Sequence, residues 1–141
     1  MNEYRKIMSK TKKRDAYGRK LDEMSRAVEK AIKASGSEQE IEVCYSAYEV
    51  ANTGKEETDI PINNLHEVAV QGKVILVSDH DDFWGEGEPF RSVELDSPTW
   101  LEVCVQANLM IHCTGDHHHI FLEGLRPVKR KPGEYRFSMG S

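Results

Sequence analysis

The hydrophobic period of this chain changes partway along it, and that change limits what the chain can fold into. Tyr17, Leu21, Met24, Val28, Ala31 and Ile32 recur at three- and four-residue steps, which describes one stripe of an amphipathic helix over 17–34. Ser35-Gly36-Ser37 ends it, because glycine takes the left-handed position after a helix without steric cost. Beyond that point the period is two. Ile41, Val43, Tyr45 and Ala47 alternate with Glu40, Glu42, Cys44 and Ser46, the pattern of a half-buried strand.

Further elements follow the same logic. Lys73 to Ser78 (KVILVS) is a continuous β-branched run and reads as a central strand covered on both faces. Phe90, Val93 and Leu95 suggest a short strand after a glycine-bearing loop. Pro98 and the Thr99–Glu102 spacing start a second helix, apolar nearly all round, which ends at Gly115. His117 to Leu125 alternates as a strand, and Tyr135, Phe137 and Met139 mark the last one. Leu65 to Val70 fits a short helix or a strand equally well. The order predicts an α+β fold: a mostly antiparallel sheet of about five strands with two main helices packed on one side. A chain of 141 residues is one domain of ordinary size. Residues 1–14 are expected as a basic, flexible tail and 15–141 as a single α+β domain.

Charge is strongly segregated. Met1 to Lys33 holds eleven Lys/Arg against five Asp/Glu, Ala34 to Leu125 three against eighteen, and Arg126 to Ser141 five against one. Basic ends flank an acidic body. An acidic body repels a phosphate backbone, and no aromatic residue interleaves with Lys10 to Arg14, so nucleic acid is a disfavoured partner. The basic helix suits docking on the acidic surface of its own or a neighbouring subunit, which points to a homo-oligomer. The uncharged run from Val103 to Thr114 is well short of the roughly 20 residues of a membrane span. Three cysteines without a CxxC pair argue against a disulfide scaffold and for a reducing cytoplasm.

The chemically densest stretch is Asp116-His117-His118-His119, with Glu123 beyond it. On a strand, His117 and His119 would share one face, about 6.6 Å apart, while His118 would join Ile120 and Leu122 on the core side. Two imidazoles at that spacing could hold a divalent transition metal, zinc or iron. Asp79 and His80, at the end of the KVILVS strand, are candidates to complete the ligand set, as is His112 at the end of the second helix. The spacing His117-x-His119-x-x-x-Glu123 is similar to the first metal motif of cupins over seven residues. The resemblance ends there: Ile111 stands where that pattern has glycine, and no histidine follows His119. Cys113, beside His112, reads as an inert small hydrophobe at the end of a buried helix. Trp84, with Gly85 and Gly87, reads as a turn whose tryptophan folds onto the core.

No GxGxxG, P-loop, GxSxG or HExxH pattern occurs. Two function classes therefore stand. The leading one is a small cytoplasmic binding or interaction domain without chemistry of its own. The alternative is a metal-dependent enzyme or metal-binding protein built on His117 and His119.

Overall fold

The computed structural model describes residues 2–52, 54, 59–78 and 85–141, with side chains from residue 15 onward. Helix α1 spans Asn2–Ala34 and takes in the basic segment together with the stripe that opens at Tyr17. Strand β1 is Cys44–Tyr45, β2 Glu49–Val50, β3 Pro61–Ile62, β4 Lys73–Val77 and β5 Leu95–Asp96. Helix α2 is Trp100–Thr114, and β6 (Phe121–Pro127) and β7 (Glu134–Gly140) close the chain. No helix among the described residues is long and apolar enough to cross a membrane.

The α+β class is as the sequence predicts, but the sheet is mixed rather than mostly antiparallel. Five strands lie in the order β1-β6-β7-β4-β5, and β2 pairs with β3 in a separate ribbon. β6 and β7 form an antiparallel hairpin, as do β4 and β5, while β1 runs parallel to β6 and β4 parallel to β7. Parallel neighbours need a long crossover. Helix α2 and strand β6 both lie between β4 and β7 in the chain, which gives β7 the length to return beside β4 in the same direction. Periodicity reports which face of a strand is buried; it carries no information on the direction of the neighbour.

One core fills the space between helices and sheet. Met24, Val28 and Ile32 of α1 meet Val103, Cys104, Ala107 and Ile111 of α2, and Val74, Leu76, Leu122 and Phe137 of the sheet. The central strand β4 has neighbours on both sides, as its β-branched run predicts. Two strands are far shorter than their patterns. Of the 41–47 alternation only Cys44–Tyr45 forms a ladder, and of the 90–95 alternation only Leu95 enters β5.

Both ends of α2 are tied by loops. The first N–H groups of a helix and its last carbonyls lack intrahelical partners. Here Trp100 N–H donates to Glu67 O (3.1 Å) and Leu101 N–H to Leu65 O (2.9 Å), while the Thr99 side chain accepts from Glu102 N–H (3.3 Å). The ambiguous 65–70 segment is thus neither helix nor strand but the cap of α2. At the other end Gly115 takes the left-handed conformation (φ 73°). Gly87 N–H then donates to Thr114 O (2.9 Å) and Glu88 N–H to Cys113 O (3.0 Å). That loop lies so close that a Cβ on Gly85 would run into the Thr114 carbonyl, and one on Gly87 into the Cys113 carbonyl. Trp84 falls outside the described residues.

Two variants test this scaffold. Gly87→Ala must push the loop off the helix end and is expected to cost about 1–3 kcal/mol, the usual range for forced overpacking, read as a lower urea midpoint. Asn108→Ala, discussed next, removes the acceptor for two backbone N–H groups and the donor to one carbonyl; the expected loss is about 2–4 kcal/mol, since each stranded group costs about 1–3 kcal/mol where water is excluded.

Candidate functional site

Asn108 lies on the inner face of α2, 1% exposed. Its Oδ1 accepts from Glu42 N–H (2.8 Å) and Val43 N–H (3.2 Å), and its Nδ2 donates to Glu40 O (3.2 Å). The amide thereby holds the chain entering β1. One helical turn later His112 reaches the same segment. Its Nε2 donates to Glu40 O (2.6 Å) and lies 3.3 Å from Glu42 Oε2. His117 Nδ1–H donates to that same Oε2 at 2.7 Å, and the two imidazole rings meet edge to face at 5.7 Å. Glu42 therefore sits between two histidines from opposite ends of the α2–β6 connection.

The histidine-rich stretch is a turn, not a strand, and β6 begins only at Phe121. The cause is Asp116, which is 6% exposed. Its Oδ1 accepts from the backbone N–H of His118 (3.2 Å) and His119 (3.3 Å), a local capture that competes with the sheet ladder. Its own N–H donates to Thr114 Oγ1 (3.2 Å). Consequently His117 and His119 do not share a strand face. His117 turns to Glu42, whereas His119 Nδ1 lies 2.9 Å from Asp116 Oδ2. His118, placed on the core side by the strand reading, is exposed.

The other predicted ligands are dispersed. Glu123 is the extra residue at a bulge in β6, between Leu122 and Gly124, with its carboxylate against Gly140. Asp79 and His80 fall outside the described residues. Among the described residues, no three His, Cys, Asp or Glu side chains form a group able to hold a metal ion. Glu42 was not singled out by the sequence. The one cue was its polar position in the alternation leading to β1, which says nothing about its partners.

A second feature lies on the other side of β1. A groove of about 660 Å³ runs between α1 and this strand, lined by Leu21, Val28, Ile41, Tyr48 and Phe121 among others. Asp22, Arg26 and Glu29 border it on the helix side. Among the described residues, β1 stands at the end of the sheet order and pairs with β6 alone. Its Cys44 N–H and the Ser46 N–H just beyond it both donate to the β6 side, to Ile120 O and Leu122 O (2.8 Å each). Tyr45 packs on Trp100 with ring centroids 6.2 Å apart, and burial holds its phenol well above the ordinary range. Its hydroxyl contacts Asn64 Oδ1 and Ala47 O, and Asn64 Nδ2 donates to Ala47 O (2.7 Å). At the groove's far end the Tyr17 and Tyr48 hydroxyls meet at 3.2 Å. That hydrogen bond, together with burial, raises the Tyr48 phenol.

No protein family, curated protein or solved structure matches the chain.

All three cysteines are free thiols in graded environments. Cys104 is buried, Cys44 half-buried, and Cys113 exposed rather than packed inside as its sequence position suggests. Burial raises the Cys44 thiol and pushes the Cys104 thiol from 9.0 up to about 12. Thiolate is the reactive form. Iodoacetamide at about pH 8 is therefore expected to label Cys113 first, Cys44 more slowly, and Cys104 only when the chain unfolds, as read by peptide mass mapping. The sign of the pH dependence follows from the same burial. Between pH 9.0 and about 12 the folded chain keeps a Cys104 proton that the unfolded chain releases, so stability falls as pH rises through that window. The alkaline decline in melting temperature should be shallower in Cys104→Ala.

Proposed function

We propose that this domain acts by binding, as a non-catalytic interaction module, and that the groove between α1 and β1 receives an extended peptide. The observation that carries the reading is the one-sided pairing of β1 beside an apolar groove. An edge strand offers backbone donors and acceptors to an incoming strand, while adjacent pockets select alternate side chains. Leu21, Val28 and Ile41 would take apolar side chains of the ligand, and Asp22 and Glu29 favour a neutral or basic flank. Three free cysteines suit a reducing, cytoplasmic setting. Self-association belongs to the same proposal.

Ser25 lines the groove from the exposed side of α1, so Ser25→Trp should fill it without touching the core. A randomised ten-residue peptide library is panned on the parent, and the enriched peptides are measured by fluorescence anisotropy on both forms. The reading expects peptides with alternating apolar residues, and at least about tenfold weaker binding to Ser25→Trp. No enrichment on the parent, or equal affinity for the filled variant, would contradict it.

A further inference from the structure

The groove between α1 and β1 does not end at Phe121. A second hollow of about 440 Å³ opens there, lined by Ser46, Phe121, Glu123, Gly140 and Ser141. Ser46 and Phe121 line both spaces. The register explains why the two meet: Phe121 is flanked by Cys44 of β1 on one side and Gly140 of β7 on the other. The hollow thus lies where β6 begins and β7 finishes. A peptide in the groove has Phe121 at its border, and Glu123 stands about 6 Å further along β6, within the reach of one long side chain.

Two local features aim Glu123 into this hollow. It is the extra residue of the bulge between Leu122 and Gly124, and a bulge re-aims the side chain it inserts. Gly140 then gives the carboxylate room, because a Cβ at that position would run into Glu123 Oε1. Among the described residues Glu123 is the only charged side chain lining the hollow, and no hydrogen bond or ion pair holds its carboxylate. Phe121 is 40% exposed, so part of an aromatic ring lies bare beside that acid. One side chain suits both at once. Arginine lays a planar cation on an aromatic ring and forks two hydrogen bonds to a carboxylate. Lysine has the charge without the plane or the fork, and an apolar residue would cover the carboxylate unpaired.

We propose that this hollow is a subsite for an arginine side chain, presented by the peptide that the groove receives. The guanidinium lies over Phe121 and bonds the Glu123 carboxylate. The surrounding charge agrees: residues 34–125 hold eighteen Asp/Glu against three Lys/Arg, and such a body attracts a basic ligand and repels an acidic one. Gly140 is a positioning residue, which acts by leaving the carboxylate its place. The arginine's setting in a peptide rests on the groove reading proposed above, whereas the subsite can be probed alone.

N-acetyl-arginine amide at millimolar concentration, titrated against ¹⁵N-labelled protein, is that probe. Amide shifts should centre on Phe121, Glu123 and Gly140. They should fall at least about threefold with N-acetyl-citrulline amide, which keeps the shape and lacks the charge. Glu123→Gln should abolish them. Gly140→Ala should weaken them without unfolding the chain, since its Cβ displaces the far end of a flexible side chain; the remaining amide spectrum checks that each variant is folded. Ser25→Trp should leave them unchanged. In peptides enriched on the groove, arginine replaced by citrulline should bind about three- to tenfold more weakly to the parent, and equally well to Glu123→Gln. Equal shifts from both probes, arginine shifts that persist in Glu123→Gln, or shifts centred elsewhere would overturn the proposal. The expected arginine shifts without any enriched peptide would support the subsite and overturn the groove reading alone.

Discussion

The side-chain amide of Asn108 does for residues 40–43 what a neighbouring strand would otherwise do. It accepts two backbone N–H groups and donates to one carbonyl, from a helix position that is almost fully buried. A two-residue ladder such as β1–β6 supplies few hydrogen bonds of its own, and a short edge strand is prone to fray. Asn108 and His112 hold its entry; Asn64 and the Tyr45 hydroxyl hold its exit. The edge is thereby fixed in place beside the groove. A buried amide that satisfies several backbone groups at once also specifies one register, because any slip would strand polar groups away from water.

Helix α2 is the hub of this arrangement. Its inner face supplies Val103, Cys104, Ala107 and Ile111 to the core. Its N-terminal donors are met by the 65–67 loop, and its C-terminal carbonyls by Gly87 and Glu88. Four segments remote in the chain converge on fifteen helical residues. Gly115 and Asp116 then turn the chain sharply toward β6. The histidines placed in that turn are held by carboxylates, His117 by Glu42 and His119 by Asp116. His117 is exposed, so its contact with Glu42 adds only about 0–1 kcal/mol, whereas Asp116 is buried and shapes the turn through the backbone N–H groups it accepts from.

How much of this was legible in the sequence depends on whether the cause is local. The α2 boundaries follow from Thr99 and Gly115, whose capping roles act within one turn, and the structure places both caps there. The stripe from Tyr17 to Ile32 marks the buried face of α1 for the same reason. The mixed sheet was not legible, because strand direction is set by crossovers and not by alternation. The histidine turn was half legible. Gly115-Asp116 is a turn signal, but the alternation beyond it invited a strand running back to His117, and Asp116 overrode that pattern by accepting from the His118 and His119 amides. Glu42 could not be found from its neighbours, since its partners lie some seventy residues away and only the fold brings them together. Glu123 read in sequence as a metal ligand. Its place over Gly140 is a property of the bulged hairpin, which the hairpin alone reveals.

If the Asn108 clamp organises the edge of the sheet, the amides it holds must be as protected as the core. Native-state hydrogen exchange followed by NMR measures this directly at Glu42 and Val43. Both should exchange only through global unfolding, with the same free energy as Ile111 in the middle of the core, and both should lose protection selectively in Asn108→Ala. Fast exchange at Glu42 and Val43 in the parent, while Cys44 and Ser46 remain protected by β6, would show that the clamp is not what fixes this edge.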